Sequence, residues 1–390
     1  MSIYVDTCYE SLNKFNEELC GDKVEIIRSD NSSIIVLADG LGSGVKANIL
    51  ATLTSKIIGT MLSNGLSLDE AVETIASTLP VCRERDIAYS TFSILQIMDS
   101  GEGYLVEFDN PSVFFMKRGK RSELDKQTRV INGKLVTESR FKVSYEDLFI
   151  LVSDGVIHAG VGATLNLGWQ WDNVREYIER TYKSDLSTKN IVKLLLSVCE
   201  NLYARKPGDD TTVAAIKIRK PVVVNVMIGP PVDKDEDRNV VQRFFDGDGK
   251  KVVCGGTTSQ IVSRVLNKKI TTNIKYYNPQ VPPTAEIEGI DLVTEGVLTF
   301  GKALEYAKKY LSTGSNIKDL IELGKKDGAS RLAKLLLEES TKVNFFIGRA
   351  INPAHQNPEL PLDLGLKIKL VNEMSDCLKT LGKRVEIEYY

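Results

Sequence analysis

The sequence predicts two domains of different class: an α+β domain in which a β-sandwich is flanked by helices, then an α/β domain with a mainly parallel sheet. Three observations carry this. At 390 residues the chain exceeds what one typical core supports. Its first half sets hairpin-like pairs of β-rich runs against paired helical patterns, whereas its second half alternates single apolar runs with single helices. The change falls at Lys220–Pro221, without a repeat or low-complexity linker, so domains are expected at 1–219 and 221–390.

In order along the chain, VEIIR and SIIVLAD, joined by the turn-prone SDNS, predict a hairpin over residues 24–38. Val45, Ile49, Leu53, Ile57 and Met61 stand at helical spacing in 45–63. Ser67 and Glu70 form a capping box that starts a second helix. A second hairpin follows in STFSILQIM and YLVEFD around DSGEG, then a strand in PSVFFMKRGKR. DLFILVSDG is a third apolar run, 171–203 is helical, and DDTTVAAIKI closes the half as a strand. Beyond the boundary, VVVNVMIGPP, KKVVCGG, GIDLVTEG, KVNFFIGRA and RVEIEYY read as strands. Helices are expected at 237–246, 257–267, 297–311, 329–340 and 363–381.

Composition excludes several classes. Fifty Lys and Arg against 52 Asp and Glu give a net charge of −2, which offers no polyelectrolyte footprint for nucleic acid. No stretch reaches the roughly 20 apolar residues of a membrane span. The N-terminus lacks an apolar signal core. Cys8, Cys20, Cys82, Cys199, Cys254 and Cys377 are scattered without a C-x-x-C pair, so they read as reduced thiols of a cytoplasmic protein.

Asp39 in VLADG, Asp154 in LVSDG and Asp209 in GDDTT each sit at a strand end or start beside Gly, and Asp22 opens the first hairpin. One Asp-Gly is ordinarily a turn. Several at strand ends of one domain suggest a cation site, and carboxylate and carbonyl oxygens suit Mg²⁺ or Mn²⁺ better than Zn²⁺. The glycines of GLGSG do not make a Walker loop, because Lys46 is misplaced for one.

GD at 21–22, ADGLGSGVKA at 38–47, STFSILQI at 90–97, DNPSVFFMKRG at 109–119, LFILVSDGVIHA at 148–159 and GDDTTVAAIKI at 208–218 stand in a telling order. That order resembles the metal-dependent protein phosphatases of the 2C type, in particular the bacterial branch of sporulation stage II phosphatase E, over about residues 15–218. The resemblance implies two or more Mn²⁺ or Mg²⁺ ions at one end of a β-sandwich. It assigns Asp39 as bridging ligand, the Gly40 carbonyl to one ion, and Asp154 and Asp209, the latter preferred to Asp210, as further ligands. Asp22 takes the early acidic position. The implied activity is hydrolysis of phosphoserine and phosphothreonine in a phosphoprotein substrate by a water activated between the ions.

Two positions depart from the pattern: Leu41 stands where many eukaryotic members have His, and NEELCGD lacks an Arg before Asp22. They give some support to an alternative, a non-catalytic scaffold acting by partner binding. Helices in 45–80 occupy the place that switches metal binding in sporulation-type relatives. His158, four residues beyond Asp154, is weighed between site and structure, and Arg83 and Arg85 between anion contact and surface charge. Trp169 and Trp171 read equally as packing or partner surface.

In the second domain, Gly255, Gly256, Thr257, Thr258 and Ser259 follow a strand and open a helix, where free amides favour a small anionic ligand. Simple N-capping is the competing reading. Glu295 and His355 lie at similar junctions. A ligand sensor in this half, with the first half as its output, is the third functional reading.

Overall fold

The run SSIIVLADG folds as a strand covered on both faces. Ile34, Val36 and Ala38 face one apolar cluster and Ile35 and Leu37 another, all essentially inaccessible. This is why it lacks the polar alternation of a sheet with one wet face. The computed structural model describes residues 2–29, 31–78, 81–82, 87–88, 90–131, 134–272, 277–312, 323–350 and 362–390. They fall into two units, Met1–Lys220 and Pro221–Tyr390.

The first unit runs β1 (Tyr4–Leu12), β2 (Asp22–Arg28), β3 (Ser32–Gly40), α1 (Gly44–Ser63), α2 (Leu68–Thr78), β4 (Val81–Cys82) and β5 (Ile87–Ala88). It continues through β6 (Ser90–Met98), β7 (Glu102–Phe108), β8 (Phe114–Lys117), β9 (Lys120–Ser122), β10 (Gln127–Ile131), β11 (Lys134–Lys142) and β12 (Leu148–Val152). Helices α3 (Asp154–Ile157), α4 (Trp171–Thr181) and α5 (Thr188–Leu202) precede β13 (Thr211–Arg219).

Two antiparallel sheets result, β1-β13-β12-β8-β9 and β10-β11-β7-β6-β3-β2. Between them lie Leu37, Leu95, Phe115, Phe149 and Ile216, with the rings of Phe115 and Phe149 stacked at 4.7 Å. The outer face of the second sheet packs on α1 and α2, that of the first on α4 and α5. The expected helix-flanked antiparallel sandwich is therefore present. The polar strand β1 and the edge hairpin β10–β11, where Val130 and Leu135 are exposed, went beyond what the patterns signalled.

Helix α1 forms where its spacing predicts, but the first half of its apolar stripe faces outward while Ile57 and Met61 pack against the core. Val45, Ile49 and Leu53 are 50–60% exposed, while Ala47, Ala51, Ser55 and Gly59 face inward. Small residues win that face because the helix lies close on β2: a Cβ at Gly59 would meet Ile27 Cδ1 at 2.3 Å. The capping box of α2 forms on both sides, Ser67 N to Glu70 Oε2 at 2.8 Å and Glu70 N to Ser67 Oγ at 3.2 Å. Ser187 caps α5 by accepting from Asn190 N at 3.2 Å. Ser187→Ala should cost about 1 kcal/mol, read as a melting decrease of roughly 2–4 °C in a domain of this size.

The second unit contains β14 (Val223–Ile228), α6 (Asp237–Asp246), β15 (Lys250–Cys254), α7 (Gly256–Leu266), β16 (Thr271–Thr272), β17 (Ala285–Glu286), β18 (Leu292–Thr294) and α8 (Val297–Leu311). After the helix Gly328–Lys334 come β19 (Lys342–Ile347), the helix Leu362–Thr380 and β20 (Arg384–Tyr389). Strand order is β16-β17-β18-β15-β14-β19-β20. Pairings from β18 to β20 are parallel, but β16 and β17 add an antiparallel edge, so the sheet expected to be mainly parallel is mixed. Those two edge strands are two residues each, too short to leave a periodic signal. Helices α6 and α7 cover one face, and α8 with the helices 328–334 and 362–380 cover the other.

Candidate metal centre

The register of the first hairpin sets Asp22 of β2 directly opposite Asp39 of β3. Asp39 in turn stands opposite Thr91 of β6. Asp154 opens α3 at the end of β12, and Asp209 and Asp210 immediately precede β13, the neighbour of β12. Ser153 ties the two segments together: its amide donates to Thr212 O at 3.0 Å and its hydroxyl accepts from Thr212 N at 2.8 Å. Antiparallel pairing thus brings strand ends remote in sequence to one rim.

Two glycines make that rim possible. A Cβ at Gly40 would lie 2.1 Å from the Ala47 carbonyl oxygen, so only glycine lets the end of β3 tuck under the first turn of α1. A Cβ at Gly155 would lie 2.0 Å from Asp210 O, so Gly155 permits α3 to press against the 209–211 segment. Gly155→Ala is expected to cost about 1–3 kcal/mol through this overlap, measured as a lowered melting temperature of the metal-free protein.

Charge is the dominant property of the rim. Burial, reinforced by Asp22, Asp154, Asp209 and Asp210, drives the Asp39 carboxyl up from 3.8 to about 9. Burial likewise lifts Asp22 to about 7, opposed by the nearby Thr212 and Ser153 hydroxyls and reinforced by Asp210 and Asp154. Asp209 is raised too, by burial first and by Asp154 second. Both carboxylate oxygens of Asp22 and Oδ2 of Asp210 are buried without a hydrogen-bond partner among the described residues. Buried carboxylates left so need a cation or a proton.

A divalent ion would meet that need, since the donors are oxygen atoms with negative charge and unmet acceptor capacity. Among the described residues, no three His, Cys, Asp or Glu side chains already form a finished ligand set.

Asp210, set second to Asp209 by the sequence pattern, is the more buried of the two. It is 4% exposed, where the side chain of neighbouring Asp209 is 41% exposed, and its Oδ1 accepts from Lys14 N at 3.0 Å, pinning the β1–β2 loop beside the rim. The doubled acid in GDDTT was the available signal. Lys14 Nζ stands 3.9 Å from Asp209 Oδ1. His158 follows α3 as an exposed residue. Trp169 is packing, edge-on to Tyr177 at 5.5 Å. Arg83, Arg85, His355 and the Cys82 side chain lie outside the described residues.

In the second unit, Gly255 precedes α7 with φ of 118°, Thr258 Oγ1 accepts from Gly229 N at 3.0 Å, and Ser259 Oγ donates to Gly255 O at 2.7 Å. Those hydroxyls serve the fold, and Gly256 and Thr257 are the exposed members of the group. Glu295 makes a parallel contact at the next junction, its Oε2 accepting from Thr299 N at 3.3 Å.

Residues 29–219 match the family model described as stage II sporulation protein E, SpoIIE. Stage II sporulation protein E of Bacillus subtilis (strain 168) is 27% identical over 192 residues, 47% of this chain and 22% of that protein. The Priestia megaterium protein is 24% identical over 225 residues, 55% of this chain and 36% of its own. The chain therefore spans about a fifth to a third of the length of these relatives. Among solved structures, the phosphatase domain with a regulatory fragment of B. subtilis SpoIIE aligns at a TM-score of 0.48 and 19% identity, covering 56% of this chain and 64% of that one. RsbX in complex with magnesium aligns at 0.40 and 18%, covering 55% and 95%. No helix among the described residues is long and apolar enough to cross a membrane.

Proposed function

We propose that the first unit is a metal-dependent protein serine/threonine phosphatase acting on a phosphoprotein. The observation that carries this is the rim itself: the carboxyls of Asp22, Asp39 and Asp209 are raised by burial and by the nearby acids, Asp154 and Asp210 among them. Asp39, the Gly40 carbonyl, Asp154 and Asp209 would hold two or more Mn²⁺ or Mg²⁺ ions, with Asp22 on the second. Such ions, when bound, supply an acidified water and neutralise phosphoryl charge. The chain's own part is positional: β2, β3 and β12 fix the carboxylates, and Asp210 holds the Lys14 amide of the neighbouring loop.

In this reading the second unit is regulatory, with a small anion held at the exposed amides of Gly256 and Thr257. The test is p-nitrophenyl phosphate hydrolysis by the full chain with Mn²⁺ and with EDTA. Turnover that requires Mn²⁺ supports the phosphatase. Folded, metal-loaded protein without turnover on this substrate or on phosphopeptides sinks it and favours the scaffold.

A further inference from the structure

At the β8–β9 edge of its first sheet, the first unit has a cavity of about 190 Å³ whose walls include Ser112, Phe114, Arg121, Glu123, Lys126 and Arg175. We propose that this cavity binds an oxyanion group, the carboxylate or phosphate of an acidic side chain flanking the phosphoresidue of the protein substrate. The proposal rests on the phosphatase reading for the substrate's identity, though not for the pocket's chemistry.

Three cations line the cavity, and their own partners leave two of them available. Lys126 is committed, 2.5 Å from the buried Glu107, which also accepts from Val113 N at 2.6 Å. Arg121 meets Glu179 at 3.3 Å, but with the two side chains 44% and 36% exposed. Arg175 reaches Asp172 only at 3.9 Å, and Asp172 is 95% exposed. Pairs this exposed contribute little and exchange readily for a better acceptor.

Unmet donors point the same way. Arg175 Nε is buried without a hydrogen-bond partner, and so is Nε1 of Trp171, over whose ring the Arg175 guanidinium lies at 5.4 Å. Of these two residues Arg175 lines the cavity, and its buried N–H without an acceptor calls for a ligand that brings oxygen atoms. The planar guanidinium fork suits a carboxylate or phosphate. Glu123, exposed, faces the same cavity and would disfavour an anion that stops short of the arginines.

Location ties the cavity to substrate. Phe114 of β8 pairs with Ile150 of β12, so the chain from Phe114 back to Ser112 runs toward the end of β12 that leads to Asp154. Asn110, two residues further, donates from Nδ2 to Val152 O at 3.3 Å. A peptide presenting its phosphoresidue at the rim would carry a neighbouring acidic side chain past the cavity. This offers an anion contact to a chain that lacks an Arg before Asp22.

The experiment compares wild type with Arg121→Gln/Arg175→Gln, and with the surface change Arg121→Gln alone should the double variant fail to fold. One arm titrates inorganic phosphate into the full chain in EDTA by calorimetry, where the metal-free acidic rim repels the ion. The other measures KM with Mn²⁺ for two phosphopeptides, one acidic and one neutral beside the phosphoserine. A rise of about tenfold in the acidic-to-neutral KM ratio, with phosphate binding weakened similarly, is expected and assigns the cavity to the substrate side chain. Weakened phosphate binding with an unchanged ratio assigns it to free phosphate. No change in either arm overturns the proposal. Wild type inactive on both peptides refutes the phosphatase reading, while the calorimetric arm still decides the pocket.

Discussion

Asp39→Asn is expected to lower Mn²⁺-dependent turnover by on the order of a thousand-fold, about 4 kcal/mol of transition-state stabilisation. The reason is geometric and electrostatic together. Asp39 stands opposite Asp22 across β2 and β3 and feels Asp154, Asp209 and Asp210 as well. An amide there keeps the shape and removes the charge that would face two ions at once. Asp154→Asn should act in the same direction. Steady-state hydrolysis of p-nitrophenyl phosphate across a Mn²⁺ series measures it, and a variant restored to wild-type rate by excess Mn²⁺ would show that Asp39 tunes affinity only.

The second large effect concerns the metal-free protein. The folded-state carboxyls of Asp39 and Asp22 titrate at about 9 and about 7, above the ordinary 3.8. Between those limits the folded chain holds protons that the unfolded chain has released, so stability must fall as pH rises from about 4 toward 9. In EDTA the melting temperature should drop by about 5 °C or more between pH 5 and pH 8.5. Asp39→Asn should flatten that slope and melt higher than wild type at pH 8.5. Mn²⁺ at about a hundred times its dissociation constant adds about 2.7 kcal/mol and reverses the loss. A melting temperature independent of pH in EDTA would mean that the carboxylates do not share one low-dielectric rim.

Much of this was legible because both faces of the central strands are covered. Continuous apolar runs such as SIIVLAD and DLFILV end in the acids of interest, so strand ends and ligand candidates were read from the same letters. What escaped has physical reasons. Strand β1 and the β10–β11 hairpin carry too many polar residues to show a period, and their pairing is decided by neighbours distant in sequence. The stripe Val45, Ile49 and Leu53 has the right spacing for a core face, yet alanine, serine and glycine take that place because the helix sits close to its sheet. Asp209 and Asp210 are adjacent letters, and only the three-dimensional path of the 13–21 loop separates a half-buried carboxylate from a fully buried one.

The pairing of β1 with β13 has a consequence for biosynthesis. Tyr4 lies opposite Arg219 and Leu12 opposite Thr211, so the first strand of the unit is zipped to its last. At about 5–20 residues per second, the ribosome delivers that partner roughly 10–40 s after β1 emerges. Until then β1 and the exposed edge of β12 wait without their neighbour, and loop closure over some two hundred residues slows the final step. The acidic rim is completed in the same moment, because Asp209 and Asp210 arrive with β13. Nascent chains released before residue 211 would therefore carry Asp39 and Asp154 without the segment that unites them.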